Sequence, residues 1–276
     1  MKTNPFGRRN SAYASGAVTL AAAAMALPLS LSAALSVYEP FNYTAASTLA
    51  TQNGGIGFGG AWSAVTGTST VNSPGLTYSG LTVAGNRATT TAVATTQSRS
   101  LSAAIGGSTS TTYISFLLRP DAATSAANAE FGLAGTLGSV FVGKAASGNT
   151  SNYLLDTQST SGGTQNASST AFANGTAVLM VLRADFVGGG GGDTFKLYIN
   201  PSNAAEPGSA DATKSGTDVG TVSAIQFTGN LGFSFDELKI GSSYADVVPE
   251  PSTYAAGIAV AGIVGMTWRR RRHAAK

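Results

Sequence analysis

Between Leu35 and Val248 no stretch carries the 3.6-residue apolar repeat of an amphipathic helix. What recurs is a short run of β-branched and aromatic residues, closed each time by Gly, Pro, Asn or Ser. Many short strands with turn signals between them predict an all-β sandwich. Thr111–Arg119 reads Thr-Thr-Tyr-Ile-Ser-Phe-Leu-Leu-Arg, with apolar residues in both alternating sets, and Pro120 closes it. Both faces being apolar suits a central strand. Thr176–Phe186 is the most apolar strand. The stretch Ala177–Leu182 within it has no charge and marks a sheet centre. Gly188 to Gly192 joins it to Asp193–Asn200, where Phe195, Leu197 and Ile199 alternate with Lys196 and Tyr198. The two segments predict a hairpin. The glycine run opens a strand and lacks the Lys-Ser/Thr ending of a phosphate loop, so it reads as a connector.

Further strands are expected over Leu76–Val83, Glu130–Ala134, Ser139–Lys144, Tyr153–Asp156, Ile225–Thr228 and Gly232–Ile240. Ala88–Ser98, polar and rich in threonine, reads as an edge strand. Pro201–Gly220 reads as a long polar loop, and Trp62 as a core or sheet-face aromatic. In the last strand Phe233, Phe235, Leu238 and Ile240 break their alternation at Asp236-Glu237, which predicts a bulge.

The ends of the chain differ from this body. Lys2, Arg8 and Arg9 precede a small-residue apolar segment from Ala12 to Leu31, followed by Ser32-Ala33-Ala34. That is the three-part pattern of a secretory signal peptide spanning residues 1–34. Arg8-Arg9 leaves a twin-arginine variant of the same export open. At the other end, Pro249-Glu250-Pro251 stops any approaching strand. An uncharged run from Tyr254 to Trp268 follows, and then Arg269-Arg270-Arg271-Arg272. At ~1.5 Å per residue the apolar run gives a helix of roughly 22 Å. A transmembrane helix over about 252–268, with Tyr254 and Trp268 at its interfaces, is the expectation. The arginines are expected to stay cytoplasmic and the body to lie outside.

The order Pro-Glu-Pro, apolar segment, arginine cluster resembles the PEP-CTERM sorting signal of exopolysaccharide-producing Gram-negative bacteria, over Val248 to His273. The resemblance implies that residues 249–276 are recognised by an exosortase, a membrane transpeptidase-like enzyme with a catalytic cysteine. It would act near Pro249, Glu250 and Pro251, which would be a processing site. The protein would be held transiently in the inner membrane and then reach the cell surface or the extracellular matrix. A second resemblance runs along the body, residues 35–248. Tyr38-Glu39-Pro40-Phe41, the segment Asn53 to Trp62, the hairpin ending Leu197-Tyr198-Ile199-Asn200-Pro201, and Phe235-Asp236-Glu237-Leu238-Lys239-Ile240-Gly241 are similar to concanavalin/laminin-G-like jelly-roll domains. This implies a jelly-roll β-sandwich, with carbohydrate or calcium binding in some relatives.

Composition narrows the chemistry. The chain is formally +3, but the body holds eight Lys/Arg against twelve Asp/Glu, a balance of −4. The basic charge belongs to the ends, so there is no case for a nucleic-acid partner. There is no cysteine, and the single histidine is His273. Serine–histidine and cysteine–histidine catalysis and histidine-based metal sites are therefore excluded for the body. A glycosidase needs only two acids flanking a sugar bond. Asp236 and Glu237 are adjacent, and in a regular strand they would face opposite sides, so only a bulge could align them. They read as a turn-adjacent polar pair or as calcium ligands. Asp193, Asp211 and Asp218 are further oxygen donors for a calcium ion, although no loop has EF-hand spacing. The sequence therefore points to an exported, non-catalytic body associated with carbohydrate or exopolysaccharide. A purely structural biofilm component and a carboxylate glycosidase are the alternatives.

Overall fold

A computed structural model of the chain describes residues 35–248, apart from positions 80, 82, 91–93, 122–125, 159–162, 203–204 and 231. The expected signal peptide, the sorting motif and the segment 252–268 lie outside the described residues. Among the described residues no helix is long and apolar enough to cross a membrane.

In chain order the strands are β1 (Val37–Glu39), β2 (Ser63–Thr66), β3 (Ser69–Asn72), β4 (Arg87–Thr90), β5 (Thr95–Gly106), β6 (Ser110–Pro120), β7 (Ala129–Ala134) and β8 (Ser139–Lys144). They continue with β9 (Asn152–Asp156), β10 (Asn166–Ala171), β11 (Val178–Phe186), β12 (Asp193–Ile199), β13 (Ala212–Thr217), β14 (Thr221–Gly229) and β15 (Phe233–Gly241), and one helical turn, α1 (Tyr244–Val247), follows. All pairings are antiparallel and form two sheets. The first runs β13-β12-β11-β6-β15-β4-β3, with β1 also on β15; the second runs β10-β9-β8-β7-β14-β5-β2. The chain passes from the second sheet to the first at β2–β3, β5–β6, β10–β11 and β14–β15, and from the first to the second at β1–β2, β4–β5, β6–β7 and β13–β14. This traffic between two antiparallel layers makes the body all-β and jelly-roll-like.

The core lies between the layers. Ile114, Phe116 and Leu118 of β6 and Met180, Leu182 and Ala184 of β11 meet Phe131, Leu133, Ile225 and Phe227 of the second sheet. Phe227 is the hub, with ring centroids 4.4 Å from Phe235 and 5.6 Å from both Trp62 and Phe131. Offset and tilted aromatic pairs of this kind stabilise beyond their buried area. Trp62 is buried, as expected. The other face of the first sheet is covered as well. Tyr113, Leu117, Leu179, Val181 and Tyr198 pack there under Leu76, Tyr244, Val247 and Val248, with Leu35 alongside. This second cluster explains why β6 and β11 are apolar on both faces.

Three expectations need correction. The described residues of Leu76–Val83 form no strand, only an isolated bridge between Tyr78 and Leu81: the Leu76 N–H goes to the Asp236 carboxylate (2.7 Å) instead of a ladder, and Leu76 caps the outer cluster. Ala88–Ser98 is split between β4 and β5, and neither is an edge. The strand β5 pairs with β14 and β2, and β4 pairs with β15 and β3. The polar sequence of β5 is accommodated because Thr95, Gln97 and Arg99 point inward into hydrogen bonds. Pro201–Gly220 contains β13. As an edge strand it needs only one inward row, Ala212 and Lys214, and the Lys214 ammonium donates to Thr164 O (2.7 Å) beside the other sheet's edge strand.

The two layers are joined by a buried ion pair. Glu39 of β1 and Arg99 of β5 are 0% and 1% exposed and bond directly. Glu39 also accepts from Trp62 Nε1 (2.9 Å), Tyr43 OH (2.6 Å) and Phe41 N (2.9 Å). Arg99 donates further to Gly60 O (2.8 Å) and Gly54 O (2.7 Å), and its guanidinium lies over the Phe58 ring at 3.8 Å. Burial and the Glu39 carboxylate push the Tyr43 phenol up to about 12, so it remains a donor. Breaking one side of such a pair strands a charge in the core, which costs about 3–5 kcal/mol. Arg99→Ala should lower unfolding stability by that amount in urea titration.

Candidate functional site

Asp236 and Glu237 sit where β15 changes partners. On one side β15 runs along β6 throughout; on the other it pairs with β4 at Ser234 and Phe235 and with β1 from Leu238 to Ile240. Between Asp236 and Lys239 it advances three residues while β6 advances two, Leu117 to Ser115. The extra residue is the expected bulge. Glu237 takes φ 52°, a left-handed conformation unusual for a non-glycine residue. The bulge brings both carboxylates to the loop between β3 and β4 and returns Leu238 to the core.

There the two acids bind backbone. Asp236 accepts from Leu76 N (2.7 Å) and Glu237 N (2.8 Å). Glu237 accepts from Ala84 N (2.8 Å) and from Tyr38 OH (3.1 Å to each oxygen), and Lys239 Nζ is 3.6 Å away. Together they pin both ends of the loop. Burial pushes the Asp236 carboxyl up to about 8, against the two N–H bonds that favour its charge. The folded state thus holds a proton on Asp236 more tightly than the unfolded chain, whose aspartates titrate near ~3.9. The stability this adds is full below about pH 4 and is lost as pH rises through about 8. Urea midpoints should therefore fall between pH 5 and 9. Asp236→Asn should flatten that slope and cost about 1–3 kcal/mol at pH 5, because one backbone N–H loses its acceptor.

At one end of the sandwich four turns meet: β5–β6, β7–β8, β11–β12 and β13–β14. They enclose a cleft of about 190 Å³ lined by residues that include Thr136, Leu137, Val187, Asp193, Asp218 and Thr221, with four glycines. Asp193 is 1% exposed and ties two of the turns together, accepting Val187 N (2.8 Å) and Val219 N (2.9 Å). Asp218 Oδ1 accepts Gly220 N (2.8 Å), and Thr136 Oγ1 accepts Thr221 N (3.1 Å). Gly220 has φ 66°, and a Cβ there would lie 2.5 Å from Thr136 Oγ1, so only glycine lets these turns approach. Leu137 and Val187 stand on the rim at 69% and 45% exposure.

Asp193 and Asp218 thus come together, as a shared oxygen site would require. Asp211 is elsewhere and accepts Ile199 N (2.8 Å). Among the described residues no group of three or more acids or histidines is placed to hold a metal ion. Pro249, Glu250, Pro251 and Arg269 to Arg272 lie outside the described residues. The sequence reading passed over Leu137, Val187, Thr136 and Thr221. One signal was visible: Leu137 is a large apolar residue inside the polar turn Gly135-Thr136-Leu137-Gly138, with nothing in sequence to cover it.

No protein-family model matches this chain, and no curated protein does. Solved structures with a similar fold include domain 4 of AbnA, a GH43 extracellular arabinanase from Geobacillus stearothermophilus, in complex with arabinotriose. It shares 16% identity at TM-score 0.45, over 76% of this chain and 93% of that one. A beta-1,3-glucanase from Mycobacterium marinum shares 11% at TM-score 0.41, over 74% and 97%. The botulinum neurotoxin serotype D binding domain shares 13% at TM-score 0.43, over 81% and 52%. At these scores the likenesses carry no argument about ligand or reaction.

Proposed function

We propose that this is an exported protein with a PEP-CTERM sorting tail and a non-catalytic, polysaccharide-associated body related to the concanavalin/laminin-G-like jelly rolls. Residues 1–34 direct export. Pro249, Glu250 and Pro251 are the processing site for an exosortase, while a helix over about 252–268 and Arg269 to Arg272 hold the chain transiently in the inner membrane. The released body acts at the cell surface or in the matrix.

The observation that carries the non-catalytic reading is how the body uses its acids. Asp236, Glu237, Asp193 and Asp211 accept backbone N–H groups, and Glu39 is spent on Arg99, Trp62 and Tyr43. A glycosidase needs one carboxyl free to protonate a leaving oxygen and another free to activate water or attack. Asp236 and Glu237, the pair weighed for that work, are turned onto the β3–β4 loop. The sorting reading has its own support. Val247 and Val248 are buried, and Val247 O accepts the Ser115 hydroxyl at 2.6 Å, so the packing of the body runs up to the residue before Pro249. A processing motif directly outside a finished domain can be cut without unravelling it.

Intact mass and fractionation of the protein from its native host test this. The mature form should lack residues 1–34 and the arginine cluster, and Pro249→Ala with Pro251→Ala should leave the uncut chain in the inner membrane. If the full C-terminus persists in the membrane whatever residues stand at 249 and 251, the segment is a plain anchor and the sorting reading fails. Hydrolysis of any polysaccharide in a broad panel, lost in Glu237→Gln, would replace the non-catalytic reading with a glycosidase.

A further inference from the structure

We propose that the end cleft between the four turns is a binding site for one neutral sugar ring of a polysaccharide. This rests on the carbohydrate-associated reading above and places its contact surface.

The chemistry of the lining selects the ligand. Leu137 and Val187 are two of the four large apolar side chains most exposed among the described residues, and they stand on the same rim. Such side chains suit the C–H face of a pyranose or furanose ring. Opposite kinds of group lie beside them. Asp218 Oδ1 is used by Gly220 N, while Oδ2 faces Gly190, 4.0 Å from where a Cβ would stand there. That oxygen is available to accept from ring hydroxyls, and a carboxylate has lone pairs for two. Thr136 Oγ1 accepts a backbone N–H, which leaves its own hydrogen to donate. An apolar face together with convergent acceptors and donors is what a polyhydroxylated ring presents in complement.

Charge and size exclude the other candidates. No Lys or Arg lines the cleft, so a phosphate or a uronate would meet Asp218 with no cation to offset the repulsion. Calcium would need several converging oxygens, but each Asp193 oxygen already faces an N–H donor, and Asp218 has one oxygen to offer. The cleft, about 190 Å³, is below the ~300–1,000 Å³ of sites for drug-sized ligands and matches a single ring. The walls are fixed in advance. Asp193 holds the turn that carries Val187 to the turn that carries Asp218, so binding need order little of the protein.

The test uses the full chain in detergent micelles. The probes are the methyl glycosides of glucose, galactose, mannose and arabinose, with methyl glucuronide as the charged control. Binding is read by saturation-transfer NMR and calorimetry, and affinity electrophoresis in gels containing neutral polysaccharides runs in parallel. At least one neutral glycoside should bind in the millimolar range, and glucuronide more weakly. Asp218→Asn, which keeps the acceptor for Gly220 N, should weaken binding about tenfold, and Leu137→Ser with Val187→Ser should abolish it, with melting temperatures unchanged. If polysaccharide retards the wild type and the variants equally, the cleft is overturned while the carbohydrate reading stands. If no polysaccharide retards the wild type and no glycoside binds, the carbohydrate reading itself falls. Calcium binding that Asp218→Asn removes, without any glycoside binding, would overturn the sugar site in favour of a cation site.

Discussion

The body has no cysteine, and the Glu39–Arg99 pair does what a cross-link between layers would otherwise do. Its two ends sit in different sheets, and around it gather Trp62, Tyr43, Phe58 and the turn at Asn53-Gly54. The arrangement helps to order the long, strand-poor stretch between β1 and β2, together with backbone bonds such as Leu49 N to Ser69 O and Gly59 N to Ser100 O and the burial of Phe41 and Leu49. Two buried charges gain little net stability over apolar residues of equal size, because desolvation offsets their attraction. What they supply is direction. A guanidinium with five donors and a carboxylate with two acceptor oxygens can be satisfied in few relative positions of the two sheets.

The strand β15 is the second organising element. It runs against β6 and shares its other edge between β4 and β1, so the first and last strands of the body are neighbours. The exchange of partners falls at Asp236-Glu237, where an extra residue opens the ladder and frees both acids for the β3–β4 loop. One irregularity thus ends one pairing, begins another and attaches a cover to the outer face of the sheet. That cover, with α1 and Leu35, lets β6 and β11 be apolar on both sides.

Much of this was legible in sequence. The strands β6 and β11 show as sheet centres by their apolar runs, and β12 and β15 show as strands by alternating Phe, Leu and Ile. The bulge shows as a slip in alternation, because one extra residue must be absorbed between Phe235 and Leu238 if Leu238 and Ile240 are to stay inside. The edges were not legible. β10 and β13 are Ala, Ser, Thr, Asn, Lys and Gly, residues that turns also use, and only the neighbouring strand makes them extended. β5 reads as an edge in sequence because its inward Thr95, Gln97 and Arg99 find hydrogen-bond partners up to 134 residues distant, which no local pattern reveals. The end cleft was hidden for the same reason. Its turns come from two hairpins, β7–β8 and β11–β12, and two crossings between the sheets, β5–β6 and β13–β14, and one of them, the glycine run, reads locally as mere slack.

The convergence of the body's two ends has a mechanical side. A pull applied at Val248 is passed through α1 to the end of β15. β15 is not an edge strand. It is held by β6 on one flank and by β1 and β4 on the other, so freeing it means breaking all those ladders. Failure under tension is a matter of rate and barrier height more than of equilibrium stability. A domain drawn from its C-terminal end would therefore resist through the whole centre of its first sheet, while the second sheet and the turns around the cleft stay out of the line of force.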